Sequence, residues 1–329
     1  MRQSPNPDHV TPFPAVAVEA RSRGLWRDAL RRLAGNRLAT AGAVFVLLTA
    51  AVAAFAPLID RYPPNQQDAT ASFEGPSARH WLGTDQLGRD QYSRLVNGAR
   101  VSLSVGILTQ IVAVSLGLAV GLAAGLGFRT LDNVLMRFTD VVYAFPDLLF
   151  VILLVSVFRE AVAGSATRTL VVIFVAIGLV SWPNIARLVR GQILSLRQQE
   201  FVRAAETLGA SRLRVALVHL LPNTLGPVIV TATFGIPAAI FAEAGLAFIG
   251  LGLPPPTPSW GRLVADGYDA ITNHSNLVLA PALAIAALMM AFTFLGDGLR
   301  DALDPRLAMR EPRVRVLPVR VPRRWRKAA

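Results

Sequence analysis

The sequence predicts an all-α, polytopic membrane protein with six transmembrane helices and a helix-turn-helix outside the bilayer. Of its 329 residues, 53% are hydrophobic and 16% are charged, and its mean hydropathy is +0.46. A soluble protein carries about 25% charged residues. The charges form a few clusters, separated by apolar runs of about 20 residues, the length that crosses a bilayer core of about 30 Å as a helix. The predicted spans are residues 39–59, 101–127, 133–158, 168–186, 224–250 and 277–295.

Proline and glycine within the spans predict how these helices bend and pack. Pro183 is expected to bend or end the fourth span, because proline donates no backbone hydrogen bond. Gly117, Gly121 and Gly125 stand four residues apart on one face of the second span. Small residues at this spacing allow two helices to approach closely, so we expect this face to pack against another helix.

The distribution of lysine and arginine predicts the orientation in the membrane. Twenty-three of these residues lie in the N-terminal lead, the 187–222 segment and the tail from residue 300, and eight lie in the opposite connections. The positive-inside rule therefore places all three segments and both termini in the cytoplasm. The chain is thus divided into a basic N-terminal segment (1–37), a first transmembrane helix with an outer amphipathic loop (38–100), a five-helix transmembrane domain (101–300) and a basic tail (301–329).

Composition excludes several kinds of functional site. The chain has no cysteine, which excludes disulfides and cysteine-bound metals, and its one lysine is Lys327. A P-loop requires an internal lysine, so any ATP must be bound by another chain. The four histidines are scattered without metal-ligand spacing, and we expect no metal site. For the basic tail we expect contact with anionic membrane lipid and no binding of nucleic acid.

The segment 201–222 predicts two short amphipathic helices on the cytoplasmic side. Gly209 is expected to end the first helix and Ser211 to cap the second. Pro222 is expected to end the second helix before the chain re-enters the membrane. The predicted apolar stripes are Phe201, Ala204, Ala205 and Leu208, and then Leu213, Ala216, Leu217 and Leu220. Such helices can lie on lipid, cover the end of the bundle or dock into a groove of a partner, and the residues alone leave these uses open.

The same segment resembles the EAA coupling loop of ABC importer permeases, whose pattern is E-A-A-x(3)-G-x(9)-I-x-L-P. Five residues of this chain match the pattern, namely Ala204, Ala205, Gly209, Leu221 and Pro222. Two positions depart from it, because Arg203 replaces the glutamate and His219 replaces the isoleucine. The resemblance implies that this loop, at about residues 190–222, docks onto a separate ATP-binding subunit and transmits the closure of the ATPase dimer to the membrane helices.

Four further segments resemble the dipeptide/oligopeptide/nickel permease family, specifically its C-type member. They are HWLGTDQLGRDQYSRLVNGARVSL (80–103), DVVYAFPDLL (140–149), EAGLAFIGLGLPPPTPSWGRL (243–263) and LGDGLRDALDPRL (295–307), and the resemblance covers about residues 38–307. It implies a multi-pass protein of a bacterial or archaeal cytoplasmic membrane. The implied partners are a second homologous permease subunit, two ATP-binding subunits that hold ATP and magnesium, and an extracytoplasmic substrate-binding protein. The chain itself is then a non-catalytic subunit without a cofactor.

Several single residues have two alternative interpretations. Asp147, in an apolar run beside Pro146, either lines a translocation path or satisfies backbone groups at a helix break. Glu243 either lines the path or hydrogen-bonds between helices. Asp140 is expected to pair with a nearby arginine. Trp260 either anchors the chain at the membrane interface or contacts a binding protein.

Two other classes of membrane protein would require different sequence features from the importer permease. A stand-alone secondary transporter would be expected to show ion-coupling carboxylates near the midplane and internal inverted repeats. An intramembrane enzyme would need a paired catalytic constellation. The sequence favours the importer permease, with di- or oligopeptides as the implied cargo and nickel chelates or another small solute as the alternative.

Overall fold

The computed structural model describes residues 25–303, and this range is helical, with one isolated β-bridge between Thr84 and Asp90. Both basic ends of the chain, predicted to be cytoplasmic, extend outside the described residues. The helices are α1 (Leu25–Gly35), α2 (Arg37–Ala54), α3 (Ala56–Ile59), α4 (Gln91–Leu126), α5 (Arg129–Ala144), α6 (Asp147–Val162), α7 (Ala166–Leu196), α8 (Glu200–Thr207), α9 (Arg212–Arg214), α10 (Leu221–Phe248), α11 (Trp260–Tyr268) and α12 (Asn276–Leu303). The prediction of an all-α fold is confirmed.

Five helices of the described chain are long and apolar enough to cross a membrane. They are α2, α4, α7, α12 and the continuous helix Arg212–Phe248, which includes α10. The bent pair α5 and α6 passes the same test together, and its two halves meet at 86°. Residues 133–158 were predicted to contain the third span, and one interpretation of Asp147 placed a helix break beside Pro146; the structure has that break between α5 and α6. Pro146 precedes α6, and a proline restricts the residue before it to extended conformations, so the helix breaks there.

Two predicted span boundaries are wrong. The second span begins at Gln91 instead of residue 101, because the side chain of Asp90 caps α4 by accepting a hydrogen bond from the N–H of Ser93 at 2.8 Å. Ten residues assigned to the outer loop therefore form the first turns of α4. The fourth span does not end near Pro183, since α7 continues to Leu196 with Pro183 buried inside it. Packing on both sides of this proline holds the helix together where one hydrogen bond is missing.

The most extensive helix packing in the described part of the chain joins α4 to α7, and it runs through the three glycines of the second span. A Cβ atom added to any of them would approach the opposing side chain of α7 to between 2.6 and 2.7 Å, too close to be accommodated without movement. The opposing pairs are Gly117 with Ile185, Gly121 with Val189 and Gly125 with Ile193. The predicted small-residue face is therefore confirmed, and it makes α4 and α7 the central pair of the bundle.

Three helix ends meet at one end of the bundle. The nearest neighbours of Gly298 in α12 include Ala39 at the start of α2, and Gly226 at the start of α10 lies beside Leu303. This end therefore carries the beginning of α2, the end of α12 and the segment 197–222, which we call the coupling loop. The opposite end carries residues 60–90, the start of α4, and α11, which together we call the cap.

Buried ion pairs hold the cap together. The carboxylate of Asp266 accepts hydrogen bonds from Arg94 at 3.1 Å and Arg89 at 3.4 Å, and pairs with Arg262 at 2.7 Å. Asp85 pairs with Arg89 at 2.6 Å, and it also accepts bonds from backbone N–H groups within residues 83–90. Residues 83–90 thus form a capped turn that leads into α4.

Trp260 does not anchor the chain at the membrane interface. Only 4% of it is exposed, and its indole N–H donates to the O of Leu95 at 2.9 Å. Its backbone N–H donates to the hydroxyl of Ser102 at 3.1 Å, which ties the start of α11 to α4. Trp260 is therefore part of the packing between the cap and the spans. The interpretation as an interfacial anchor is wrong because Trp260 is buried against α4. Sequence position alone could not show this long-range contact.

Candidate functional site

The coupling loop contains the helix-turn-helix that the sequence predicts, and its turn depends on a glycine. Helix α8 ends at Thr207, and Gly209 follows with φ of +84°, in the left-handed region that glycine adopts without strain. The N–H of Ala210 donates to the O of Ala205 at 3.0 Å. The hydroxyl of Ser211 then caps the next helix by accepting from the N–H of Arg214 at 3.3 Å. The predicted turn and cap are both confirmed.

Pro222 does not end the second helix, contrary to the prediction. The six residues Val215–Leu220 form a π-helical turn, and the chain runs through it from α9 into α10. A proline cannot donate to the carbonyl four residues back, and its ring would clash with that carbonyl in an α-helix. The wider turn, in which the N–H of Leu221 bonds to the O of Ala216, relieves both problems. The amide of Asn223 donates to the O of His219 at 2.6 Å, which satisfies a carbonyl near the proline.

The inner side of the coupling loop belongs to the core of the transmembrane bundle. Val202 of α8 and Val215 and Leu220 of the π turn are almost fully buried. They share one hydrophobic cluster with Val189 and Ile193 of α7, the side chains that face the glycines of α4. A displacement of the coupling loop is therefore passed directly to α7 and α4, the most extensively packed helix pair among the described residues.

The outer side of the loop exposes several apolar side chains of the predicted stripes. Leu208 is 88% exposed and Leu213 is 69% exposed, and Phe201 and Leu217 are also exposed. Ala216 and Leu220 of the second stripe are buried, so the two predicted stripes are divided between the inner and the outer side. Val202 was missed because an eight-residue helix offers several possible apolar faces. Only contact with α7 decides between them.

The seven residues at the positions of the coupling-loop pattern lie on or near the exposed side. Arg203, Ala204, Gly209 and Pro222 are exposed, and Ala205, His219 and Leu221 are half-buried. A Cβ on Gly209 would meet no atom within 4 Å, so its requirement for glycine comes from the backbone angle and not from crowding within the chain. The surface combines small residues with protruding leucines.

Two arginine–carboxylate pairs connect the bent pair to α7 near the coupling loop. Arg190 donates to both carboxylate oxygens of Asp132, with Nη2 to Oδ2 at 2.7 Å. Arg187 donates to Asp140 at 2.8 Å, and its guanidinium lies 4.2 Å from the ring centroid of Tyr143. The predicted arginine partner of Asp140 is confirmed. These pairs extend the connection from the coupling loop through α7 to α5.

The structure places Asp147 at the break between α5 and α6. It lies in the first turn of α6, directly after Pro146, and it is exposed on the surface of the chain. A carboxylate at this position interacts favourably with the positive end of the helix dipole. It is also accessible from the side of the bundle, so the geometry is compatible with both predicted roles.

Glu243 is buried completely within the packing of α10 against the cap. One carboxyl oxygen accepts a hydrogen bond from the hydroxyl of Ser259 at 2.7 Å. The same hydroxyl caps α11 by accepting from the N–H of Arg262 at 3.1 Å. Glu243 thus links α10 to the start of α11. Among residues 25–303, no group of three or more side chains could hold a metal ion.

Comparison with known proteins identifies the family. Residues 117–309 match the family described as the binding-protein-dependent transport system inner membrane component, and residues 24–76 match the N-terminal transmembrane domain of oligopeptide transport permease C. The chain is 39% identical over 293 residues to the oligopeptide transport system permease protein OppC of Bacillus subtilis, covering 89% of this chain and 93% of that protein. The chain belongs to this family. It is a permease subunit of an ABC importer, as the sequence predicted.

Other relatives differ in the solute that their names specify. The chain is 40% identical to the dipeptide transport system permease protein DppC of Bacillus subtilis, over 89% of each chain. It is 38% identical to the glutathione transport system permease protein GsiD of Pectobacterium atrosepticum, over 86% of this chain and 91% of that one. A solved structure of the MetNI methionine ABC transporter, in an inward-facing conformation, contains a chain with the same fold. That chain matches with a TM-score of 0.52 and 17% identity, over 64% of this chain and 96% of its own length.

Proposed function

We propose that this permease moves di- or oligopeptides into the cytoplasm by alternating access, driven by ATPase subunits that dock on residues 200–222. The observation that carries the proposal is the two-sided coupling loop. Its inner side is continuous with the core of α4 and α7, and its outer side exposes leucines and small residues. A surface of this kind is suited to docking into a groove of a partner.

The proposal assigns the chemistry of ATP to other chains. Two ATP-binding subunits would hold ATP and magnesium, and a second, homologous permease subunit would complete a heterodimer. An extracytoplasmic binding protein would deliver the solute. The chain itself would be non-catalytic, with the coupling loop and both termini in the cytoplasm. The excess of arginine at that end of the bundle supports this orientation.

Transport would follow from a rigid-body movement. Closure of the ATPase dimer would displace α8 and the π turn, and the shared cluster would move α7 and α4 with them. The roles of Arg203 in docking and of Asp147 and Glu243 in the path are part of this proposal. The exposed Asp147 is better placed to meet a solute than the buried Glu243.

The proposal of a peptide cargo is based on the names of the relatives, which specify oligopeptides, dipeptides and glutathione. Nickel chelates or another small solute would use the same architecture. A stand-alone secondary transporter, the other class considered from the sequence, is disfavoured because the chain belongs to the importer permease family. It predicts uptake that does not depend on ATP-binding subunits.

Replacement of the most exposed leucine of the coupling loop tests docking. Leu208→Asp places a charge on the outer surface, where 88% of the residue is exposed, so the fold is expected to be unchanged. We expect normal amounts of the protein in the membrane, loss of solute uptake, and loss of the ATPase stimulation that the loaded binding protein causes. Leu208→Met, which keeps an apolar surface, is the matched control. Normal uptake by Leu208→Asp would contradict the proposal.

A further inference from the structure

An apolar groove lies between α2 and α4, in the half of the bundle nearer the cap. Its volume is about 260 Å³, and α2 lines it with Phe45, Leu48, Thr49 and Val52. Helix α4 contributes Val96 and Ala99 among others. The first turns of α4 and the last turns of α2 both lie toward the cap, which places the groove in the leaflet opposite the coupling loop.

The lining offers no free polar group. The hydroxyl of Thr49 donates to the O of Phe45 at 2.9 Å, and the indole N–H of Trp260, which also lines the groove, donates to the O of Leu95 at 2.9 Å. Water occupies about 30 Å³ per molecule and needs two or more polar partners, so a space of this size without partners stays dry. Because the groove opens between two membrane spans, hydrocarbon is the matching occupant.

Aromatic residues and a cation continue the groove toward the cap. Tyr92 lies one turn before Val96 on the same face of α4. The ring of Trp81 meets Tyr92 edge-on, with the ring centroids 4.9 Å apart. The guanidinium of Arg61 lies 4.5 Å above the ring of Trp81, and both side chains are exposed. Tryptophan and tyrosine in this arrangement are typical of the headgroup level of a bilayer.

Helix α2 is the least buried of the continuous spans in the described chain. In the window that qualifies α2 as a span, 17% of the residues are buried, against 33% or more in each of the four other continuous spans. On its side toward α12, α2 is closely packed, since a Cβ on Gly42 would lie 3.2 Å from Phe294. The side toward α4 contains the groove, and an occupant there would complete the contact between α2 and the five-helix domain.

We propose that the groove binds one acyl chain of an anionic phospholipid from the leaflet opposite the coupling loop, with the phosphate at Arg61. The apolar lining selects hydrocarbon, and the cation at the rim is complementary to the phosphate. Within the described chain Arg61 uses one side-chain donor, on the O of Ala78 at 3.0 Å, and a guanidinium has five. The inference does not depend on which solute is transported.

A pair of substitutions on α2 tests the occupant. Thr49→Phe would fill the groove, whereas Leu47→Phe adds the same side chain at a position that is 68% exposed and does not line it. The assembled transporter is reconstituted in a mixture of phosphatidylglycerol and phosphatidylethanolamine and is then extracted and purified again. Native mass spectrometry counts the phospholipid molecules that stay bound. We expect the fraction that retains a phospholipid to fall about tenfold in Thr49→Phe and to be unchanged in Leu47→Phe. Thr49→Leu adds a smaller side chain, and we expect it to lower the retained fraction by an intermediate amount. This variant replaces Thr49→Phe in the test if Thr49→Phe does not assemble.

A second pair of substitutions tests the headgroup. Arg61→Gln is expected to reduce the preference for phosphatidylglycerol over phosphatidylethanolamine about fivefold. Arg79→Gln, which removes an exposed arginine of the same segment, leaves the preference unchanged. Equal lipid retention by Thr49→Phe and Leu47→Phe would overturn the proposal. So would efficient cross-linking of Thr49→Cys to another protein chain, because the groove would then be a subunit contact.

Discussion

The two ends of the molecule satisfy their charged residues in different ways. In the cap, Arg89 and Arg94 are buried and paired with Asp85 and Asp266. In the coupling loop, the arginines are exposed and stand beside protruding leucines such as Leu208. The cap thus forms its contacts within the chain, whereas the coupling loop keeps one side of its surface available. The difference indicates which end needs a partner to be complete.

The largest effect is expected from breaking the ion-pair network of the cap. Asp266→Ala leaves three arginines without a shared carboxylate, and loss of one partner of a buried pair costs about 3 kcal/mol or more. We expect a markedly lower midpoint of thermal unfolding in detergent. Asp140→Ala removes a more exposed pair with Arg187 near the coupling loop, and its cost should be below about 1 kcal/mol. Equal losses in both variants would remove the proposed contrast between the ends.

An intermediate effect is expected where the coupling loop connects to the bundle. In Gly121→Val, the new Cβ would lie 2.6 Å from the Cβ of Val189 and 2.7 Å from the O of Ala186. Overpacking of this kind costs about 1–3 kcal/mol, and it would separate α4 from α7. Gly191→Val in α7 is the control, because a Cβ there meets nothing within 4 Å. The thermal midpoint of each variant measures the difference. Similar midpoints would show that the α4–α7 contact is looser than described.

The smallest effect on stability is expected at the turn of the coupling loop. Gly209→Val forces a β-branched residue to the φ of +84°, which costs about 1–2 kcal/mol and distorts the turn locally. We expect near-normal protein levels but a strong loss of solute uptake. Gly209→Asn should retain most uptake, because asparagine tolerates this conformation. Uptake that is equally high in both variants would mean that the shape of the turn does not matter for coupling.

Local signals in the sequence were sufficient for the helical class, for the close face of α4 and for the turn of the coupling loop. Gly121 could be interpreted correctly because it stands four residues from Gly117 and from Gly125. Gly209 could be interpreted correctly because a glycine directly after an amphipathic helix is typical of a helix end. Pro183 and Pro222 do not end their helices. The helix around Pro183 continues because it is packed on both sides, and a π turn accommodates Pro222. Proline propensity does not include these compensations.

The candidate site was predicted in position but not in orientation. The sequence indicated the coupling loop correctly, but it left open which face of each helix is inside: Leu213 is exposed, while the buried Val202 was not singled out. Both helices are short and apolar on more than one face, so only contact with α7 decides which face is inside. The same limit applies to Trp260, whose partners Leu95 and Ser102 lie more than 150 residues away along the chain.

Site-specific cross-linking tests the central claim, that the exposed side of the coupling loop is the docking surface for an ATP-binding subunit. The chain has no cysteine, so Leu208→Cys introduces a unique probe, and Leu58→Cys in α3, which is 83% exposed at the cap end, is the matched control. The assembled transporter is treated with a short thiol-to-amine cross-linker. We expect Leu208→Cys to give a cross-linked product with an ATP-binding subunit, and Leu58→Cys to give none. Absence of that product from Leu208→Cys, or equal yields from both variants, would contradict the claim.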